Sequence, residues 1–182
     1  MIKTAREYLG CGVCAADLAG AESAYPMSQF MELFQNTRKL DMPFTIHAGE
    51  CGSVQNVIDS VSAGAGRIGH GIALKGHYRI QGELAERGIG IEMCPISNLQ
   101  TKAVNSTAEY PIWEFLNAGL KVSINTDNRT VSNTSLVKEL QFIQTEYGIQ
   151  DEEIRLLMKN AVDTAFASED EKERLYSELQ IP

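Results

Sequence analysis

Five short apolar runs rich in β-forming residues recur along the chain, at 12–18, 43–48, 66–70, 89–94 and 121–126. Stretches with helical spacing lie between them: Met27 to Leu40, Val54 to Ala63, Tyr78 to Arg87 and Pro111 to Asn117. In the third stretch Ile80 and Leu84 share one face while Glu83, Glu86 and Arg87 take the other, an amphipathic repeat. Arg87-Gly88 and Ala118-Gly119 supply glycine stops before the strands that follow. After the last run the pattern predicts only helices, at 134–147, 151–163 and 169–179. The second of these starts Gln150-Asp151-Glu152-Glu153, with acidic side chains where the helix dipole favours them.

Strands alternating with helices predict an α/β fold with a parallel sheet and right-handed crossovers. The five runs are nearly continuous in apolar residues, as strands covered on both faces should be. Two closures fit this pattern: an open doubly wound sheet, or part of an eight-stranded barrel. A complete barrel takes ~250 residues, so a chain of 182 residues is too short for one. No linker or internal repeat divides the chain, and residues 1–182 read as one domain.

Composition narrows the partners more than the fold. The net charge of −8 argues against a nucleic-acid or anionic-membrane surface, which would need basic patches. Polar small molecules remain open as substrates. No stretch approaches the length of a membrane span, and Met1 to Tyr8 lacks the apolar segment of a signal peptide, so a cytoplasmic protein is expected. Cys11-Gly12-Val13-Cys14 has the spacing of a redox or zinc pair, but no second pair accompanies it. Since it enters the apolar run Val13 to Ala16, the four cysteines are expected to be reduced thiols of the core.

The candidate chemistry lies where strands should end. Thr45-Ile46-His47-Ala48-Gly49-Glu50 pairs a possible metal ligand with a possible proton carrier. His70, between Gly69 and Gly71, could be approached closely by a substrate or a bound water. Asp127 follows the fifth run, with Asn128 beside it offering both a donor and an acceptor. Asp17-Leu18-Ala19-Gly20 ends the first run, and Gly20 frees backbone for a ligand. Each has a plainer reading: a satisfied strand-end histidine, a helix-cap neighbour, a turn histidine, an Asp-Asn turn. Together they favour a site, because α/β enzymes build theirs at the C-terminal ends of parallel strands. His77 lies on no strand end and reads as surface. Nucleotide-binding loops, HExxH, G-x-S-x-G and the zinc nucleobase deaminase pattern are absent.

His47-Ala48-Gly49-Glu50, Gly69-His70-Gly71 and Asn125-Thr126-Asp127-Asn128 resemble the adenosine deaminase family of metal-dependent (β/α)8 hydrolases. Glu92 to Asn98 looks like that family's strand-seven end, and Asp17 to Gly20 like its strand-four end. The resemblance implies a partial (β/α)8 barrel, about strands four to eight with extra C-terminal helices. It implies removal of the 6-amino group of a purine nucleoside, adenosine, giving inosine and ammonia. In those roles His47 and Asp127 would ligate zinc, Glu50 would carry the proton to the purine ring, and His70 would orient the water. Gly20 would donate its backbone N–H to the purine. Asn128, where the family usually has a second Asp, could still reach a ring nitrogen through its amide.

The family's strand-one His-x-His, which supplies two further zinc ligands, has no counterpart among His47, His70 and His77. The zinc set in this chain is therefore incomplete. This implies a C-terminal portion, a split-gene product or a truncated reading frame. A partner half carrying His-x-His would complete it, and little activity is expected from the chain alone. Two other readings stay open: a non-catalytic half-barrel remnant that binds purine or protein, and a deaminase of adenine or a modified adenosine.

Overall fold

Five parallel strands join into one sheet in the order of the sequence: β1 (Ala16–Leu18), β2 (Phe44–Ala48), β3 (Arg67–His70), β4 (Gly90–Met93) and β5 (Lys121–Ile124). The computed structural model describes residues 1–179. Among those residues β1 and β5 each have a strand neighbour on one side only. The register sets Leu18 opposite Ile46, His47 opposite Gly69, Ala48 opposite His70, and Met93 opposite Ile124. All five C-terminal ends therefore open onto one rim.

The helices are α1 (Ile2–Glu7), α2 (Met31–Arg38), α3 (Val54–Ala63), α4 (Tyr78–Glu86), α5 (Pro95–Gln100), α6 (Ile112–Asn117), α7 (Arg129–Ser132), α8 (Leu136–Tyr147), α9 (Asp151–Asp163) and α10 (Glu169–Glu178). Their ends follow local chemistry. Ser53 caps α3 by accepting from the Asn56 amide, and Gly64 stops it in the left-handed region at φ +107°. Gln150 and Glu153 close a capping box on α9, as Ser168 and Glu171 do on α10. Phe44, Ile46, Val57, Ile68, Leu84, Ile91, Met93, Phe115 and Val122 are buried in one apolar cluster between sheet and helices. Fully burying a side chain of this size contributes about 1.5–3 kcal/mol.

Several expectations need correction. The first run is a strand only from Ala16. Residues 10–13 turn instead through Gly10 and Gly12, both at positive φ, with the Gly10 amide donating to the Val13 carbonyl. Cys11 and Cys14 are exposed as a result, Cys51 is exposed in the turn after β2, and only Cys94 is a core thiol. Burial pushes the Cys94 thiol far up. The stretch from Met27 splits into a short 3-10 turn, Met27–Gln29, and α2, breaking at Phe30, where the backbone leaves helical geometry at φ −110°; the Met27 amide is held by Asn56 Oδ1 at 2.8 Å. Helices α1, α5 and α7 lie outside the expected stretches; α5 starts on Pro95, whose fixed φ and missing N–H suit a first helical position.

The strands also alternate rather than running apolar throughout. Phe44, Ile46, Ile68, Ile91 and Val122 point toward the helices, while Thr45, Arg67, Glu92, Lys121 and Ser123 occupy the alternate positions. Three of them satisfy one another: Arg67 pairs with Glu92, and Thr45 Oγ1 donates to Glu92 Oε1 at 3.2 Å. At the opposite end from the rim, the segment after α9 crosses beneath the sheet. There Arg67 donates to the Thr164 carbonyl at 3.3 Å and stacks over the Phe166 ring, 4.3 Å from its centre.

Candidate active site

Three chain segments meet at the rim. His47 is the fourth residue of β2, and Glu50 lies two residues beyond that strand. His70 ends β3. His70 Nε2 stands 3.2 Å from His47 Nδ1 and 3.6 Å from Glu50 Oε2, so all three side chains converge on one point. The other ring nitrogen of His47, Nε2, is 3.6 Å from Asp17 Oδ2, which brings in the end of β1. Glu50 is braced from the far side, with Thr101 Oγ1 donating to its Oε1 at 2.9 Å.

His70 is 1% exposed and adopts φ +67°, a left-handed conformation that non-glycine residues rarely take. Such a conformation persists only where the surroundings enforce it, and enforced strain is concentrated at functional positions. Here the strand end turns abruptly, and Gly71 follows at φ +66° with Ile91 3.1 Å from where a Cβ would stand. Burial pushes the His70 imidazole below its usual value, against the pull of the Glu50 carboxylate. His70 is therefore a neutral ring near pH 7. Its tautomer follows from a chain of hydrogen bonds. Burial pushes the Tyr110 hydroxyl well up, so it remains a donor, and it reaches Asn98 Oδ1 at 3.4 Å. Asn98 Nδ2 then faces His70 Nδ1 at 3.0 Å and donates to it. This leaves the His70 proton on Nε2, directed at His47 and Glu50.

Asp127, three residues beyond β5, is the second site residue in the left-handed region, at φ +52°. Ser97 on α5 donates to its Oδ2 at 2.6 Å, and its charge raises the proton affinity of His70. Gly20 lines a small cavity with Leu18, Glu22, Met27, His47 and Asn56. The Asn128 side chain serves the backbone, its Oδ1 accepting from the Val131 amide at 3.0 Å and so capping α7. His77 is exposed, away from these groups.

A catalytic zinc usually takes three protein ligands and a water. Among the described residues no three His, Cys, Asp or Glu side chains are grouped to hold a metal ion. His47 and Asp127 alone do not fit such a site. Residues that sequence reasoning gave no role are Glu22, Ser97, Asn98, Thr101 and Tyr110. Ser97 and Asn98 lie inside a string already singled out, but Glu22 carries no local signal.

A family model described as adenosine deaminase matches residues 1–181. The adenosine deaminase of Enterococcus faecalis is 45% identical over 179 residues, which make up 98% of this chain and 53% of that protein. Among solved structures, the adenine deaminase from Arthrobacter aurescens superposes with a TM-score of 0.88 at 25% identity, covering 98% of this chain and 57% of that one. The apo N6-methyl-AMP deaminase from Arabidopsis thaliana gives a TM-score of 0.87 at 27% identity, covering 98% and 52%. The chain spans about half the length of the curated relatives it matches. Its five-stranded sheet is a partial (β/α)8 barrel.

Proposed function

The chain belongs to the adenosine deaminase family, and from that premise we propose that it carries the proton-transfer side of a purine aminohydrolase site. The reaction is adenosine plus water to inosine plus ammonia: water adds at C6 and the amino group leaves. The observation that carries this reading is the convergence of His47, Glu50 and His70, with His70 Nε2 within 3.6 Å of both partners.

Each residue then has a role its surroundings suit. Glu50, only partly exposed and fixed by Thr101, delivers a proton to the purine ring nitrogen as C6 becomes tetrahedral. His70 holds its Nε2 proton toward the attacking oxygen, orients the water and stabilises the charge that develops there. The Gly20 N–H donates to the purine from the cavity wall, and the Asn128 amide nitrogen stays free to reach a ring nitrogen. His47 and Asp127 would be two ligands of a zinc, with the others supplied by a segment bearing His-x-His, and the metal would activate the attacking water. Residues 1–182 are then the C-terminal part of one barrel domain.

Identity favours adenosine, since the 45% match is to an adenosine deaminase and the adenine and N6-methyl-AMP enzymes match at 25% and 27%. The test is to purify this chain and a half carrying strands one to three, then follow adenosine loss with zinc present. The chain alone should turn over little substrate and the mixture should gain activity. Robust turnover by the chain alone, or no gain on mixing, would overturn the reading. A mixture that binds no zinc would favour a non-catalytic remnant.

A further inference from the structure

Glu22 sits in the loop after β1, only 8% exposed, and its carboxylate collects four hydrogen bonds. The backbone amides of Gly49, Glu50 and Cys51 donate to it at 2.6, 3.0 and 3.1 Å. Asn56 Nδ2 donates at 2.8 Å, and Asn56 Oδ1 in turn accepts from the Met27 amide. Three consecutive N–H groups folded round one anion form a nest, built where Gly49 takes φ +76°. The nest contains the backbone of Glu50 itself. Its side chain is fixed separately, by Thr101 and His70.

We propose that Glu22 is a positioning residue for Glu50: it sets the turn from which Glu50 reaches the purine. The proposal rests on the proton-carrier role given to Glu50 above. The physical reason is directional. A turn beyond a strand end has few constraints of its own, and Gly49 and Gly52, both at positive φ, give this one additional freedom. A buried carboxylate that gathers three adjacent amides favours one conformation of the turn, because any other would leave the Glu22 carboxylate and the buried Gly49 amide without partners. A Val57 methyl 2.8 Å from where a Gly49 Cβ would stand closes the turn from the helix side. Loss of the anion should move Glu50 without moving His47 or His70, which are held by β2 and β3.

Two measurements decide it. In the chain assembled with its His-x-His half, Glu22→Gln places an amide NH2 against N–H donors; kcat should fall about 100-fold, the cost expected of a misplaced catalytic group. KM and zinc content should change little. In the chain by itself, hydrogen exchange at Gly49, Glu50 and Cys51 should speed up in Glu22→Gln while β3 stays protected. Ser53→Ala serves as a control: it uncaps α3 and lowers thermal stability, leaves all four donors to Glu22, and should leave kcat unchanged. Should Glu22→Gln fail to fold, Glu22→Asp keeps the charge, and the same kcat-against-KM split should appear in smaller measure. Unchanged exchange at the three amides overturns the proposal, as does a kcat loss in Ser53→Ala equal to that in the Glu22 variants. If the wild-type assembly has no turnover, the functional reading fails, and the exchange measurement still decides whether the nest exists.

Discussion

Gly69 faces His47 across β2 and β3, and a Cβ placed on Gly69 would stand 2.8 Å from His47 Cδ2 and 3.3 Å from its Cα. The ring of His47 lies in the space that the missing side chain leaves. Gly69→Ala should therefore displace that ring and cost about 1–3 kcal/mol, the usual range for overpacking. At about 2–4 °C per kcal/mol for a chain of this size, thermal denaturation should register the loss. In the assembled enzyme, zinc content should fall with it. An unshifted transition would show that the strand pair yields without moving His47.

Ser97 grips Asp127 at 2.6 Å while Asp127 holds a left-handed backbone. Removing a group that orients a metal ligand typically costs 10- to ~100-fold in metal affinity. Ser97→Ala in the assembled enzyme should show a drop of that order by competition with a chelating dye. Its thermal stability should change by only about 1 kcal/mol. An unaltered zinc affinity would mean that Asp127 is oriented by its backbone alone.

Nitrogen-15 NMR of His70 should report a neutral ring with the proton on Nε2 near neutral pH. Asn98→Asp replaces the donor facing Nδ1 with an acceptor, and should move the proton to Nδ1 or hold both. Turnover in the assembled enzyme should fall with it, since His70 then loses the tautomer that aims at the site. An Nδ1-protonated ring in the wild-type chain would contradict the Tyr110–Asn98–His70 relay.

Acid should destabilise the chain through Asp163. Burial alone would raise its carboxyl, but hydrogen bonds from Lys121, Tyr176 and Lys159 outweigh that and hold it at about 2. An unfolded Asp titrates near 3.9. Between those values the unfolded chain binds the proton and the folded chain does not, so stability is complete above about pH 5 and lost as pH falls from about 4 to 2. The contribution is about 1–2 kcal/mol after allowance for solvent screening. Urea denaturation at pH 6 and pH 3 should show it, and Asp163→Asn should flatten that pH dependence.

The legible parts of the fold were those with local grammar. Helix α3 runs Val54–Ala63 and α9 Asp151–Asp163, as the sequence predicts, because Ser53, Gly64, Gln150 and Glu153 mark their ends. The strand ends were legible for the same reason: apolar runs stop on His47, His70 and near Asp127. What stayed hidden depends on distant partners. Residues 12–15 look like a strand, yet the glycine turn at 10–13 delays pairing until Ala16. Helix α5 resists detection because its inward residues, Ser97 and Asn98, are polar and buried for the sake of Asp127 and His70. Glu22 looks like any loop acid until the fold brings residues 49–51 to it.

The alternation along the strands bears on what the barrel encloses. Thr45, Arg67, Glu92, Lys121 and Ser123 alternate along the strands with the apolar residues packed on the outer helices, and they are paired or hydrogen-bonded rather than oily. A barrel filled with hydrocarbon would turn sticky when opened, since its contents would invite aggregation through any edge. One furnished with ion pairs can be opened to water at small cost. Charge pairs and hydrogen bonds, rather than hydrocarbon, therefore furnish this part of the barrel's interior.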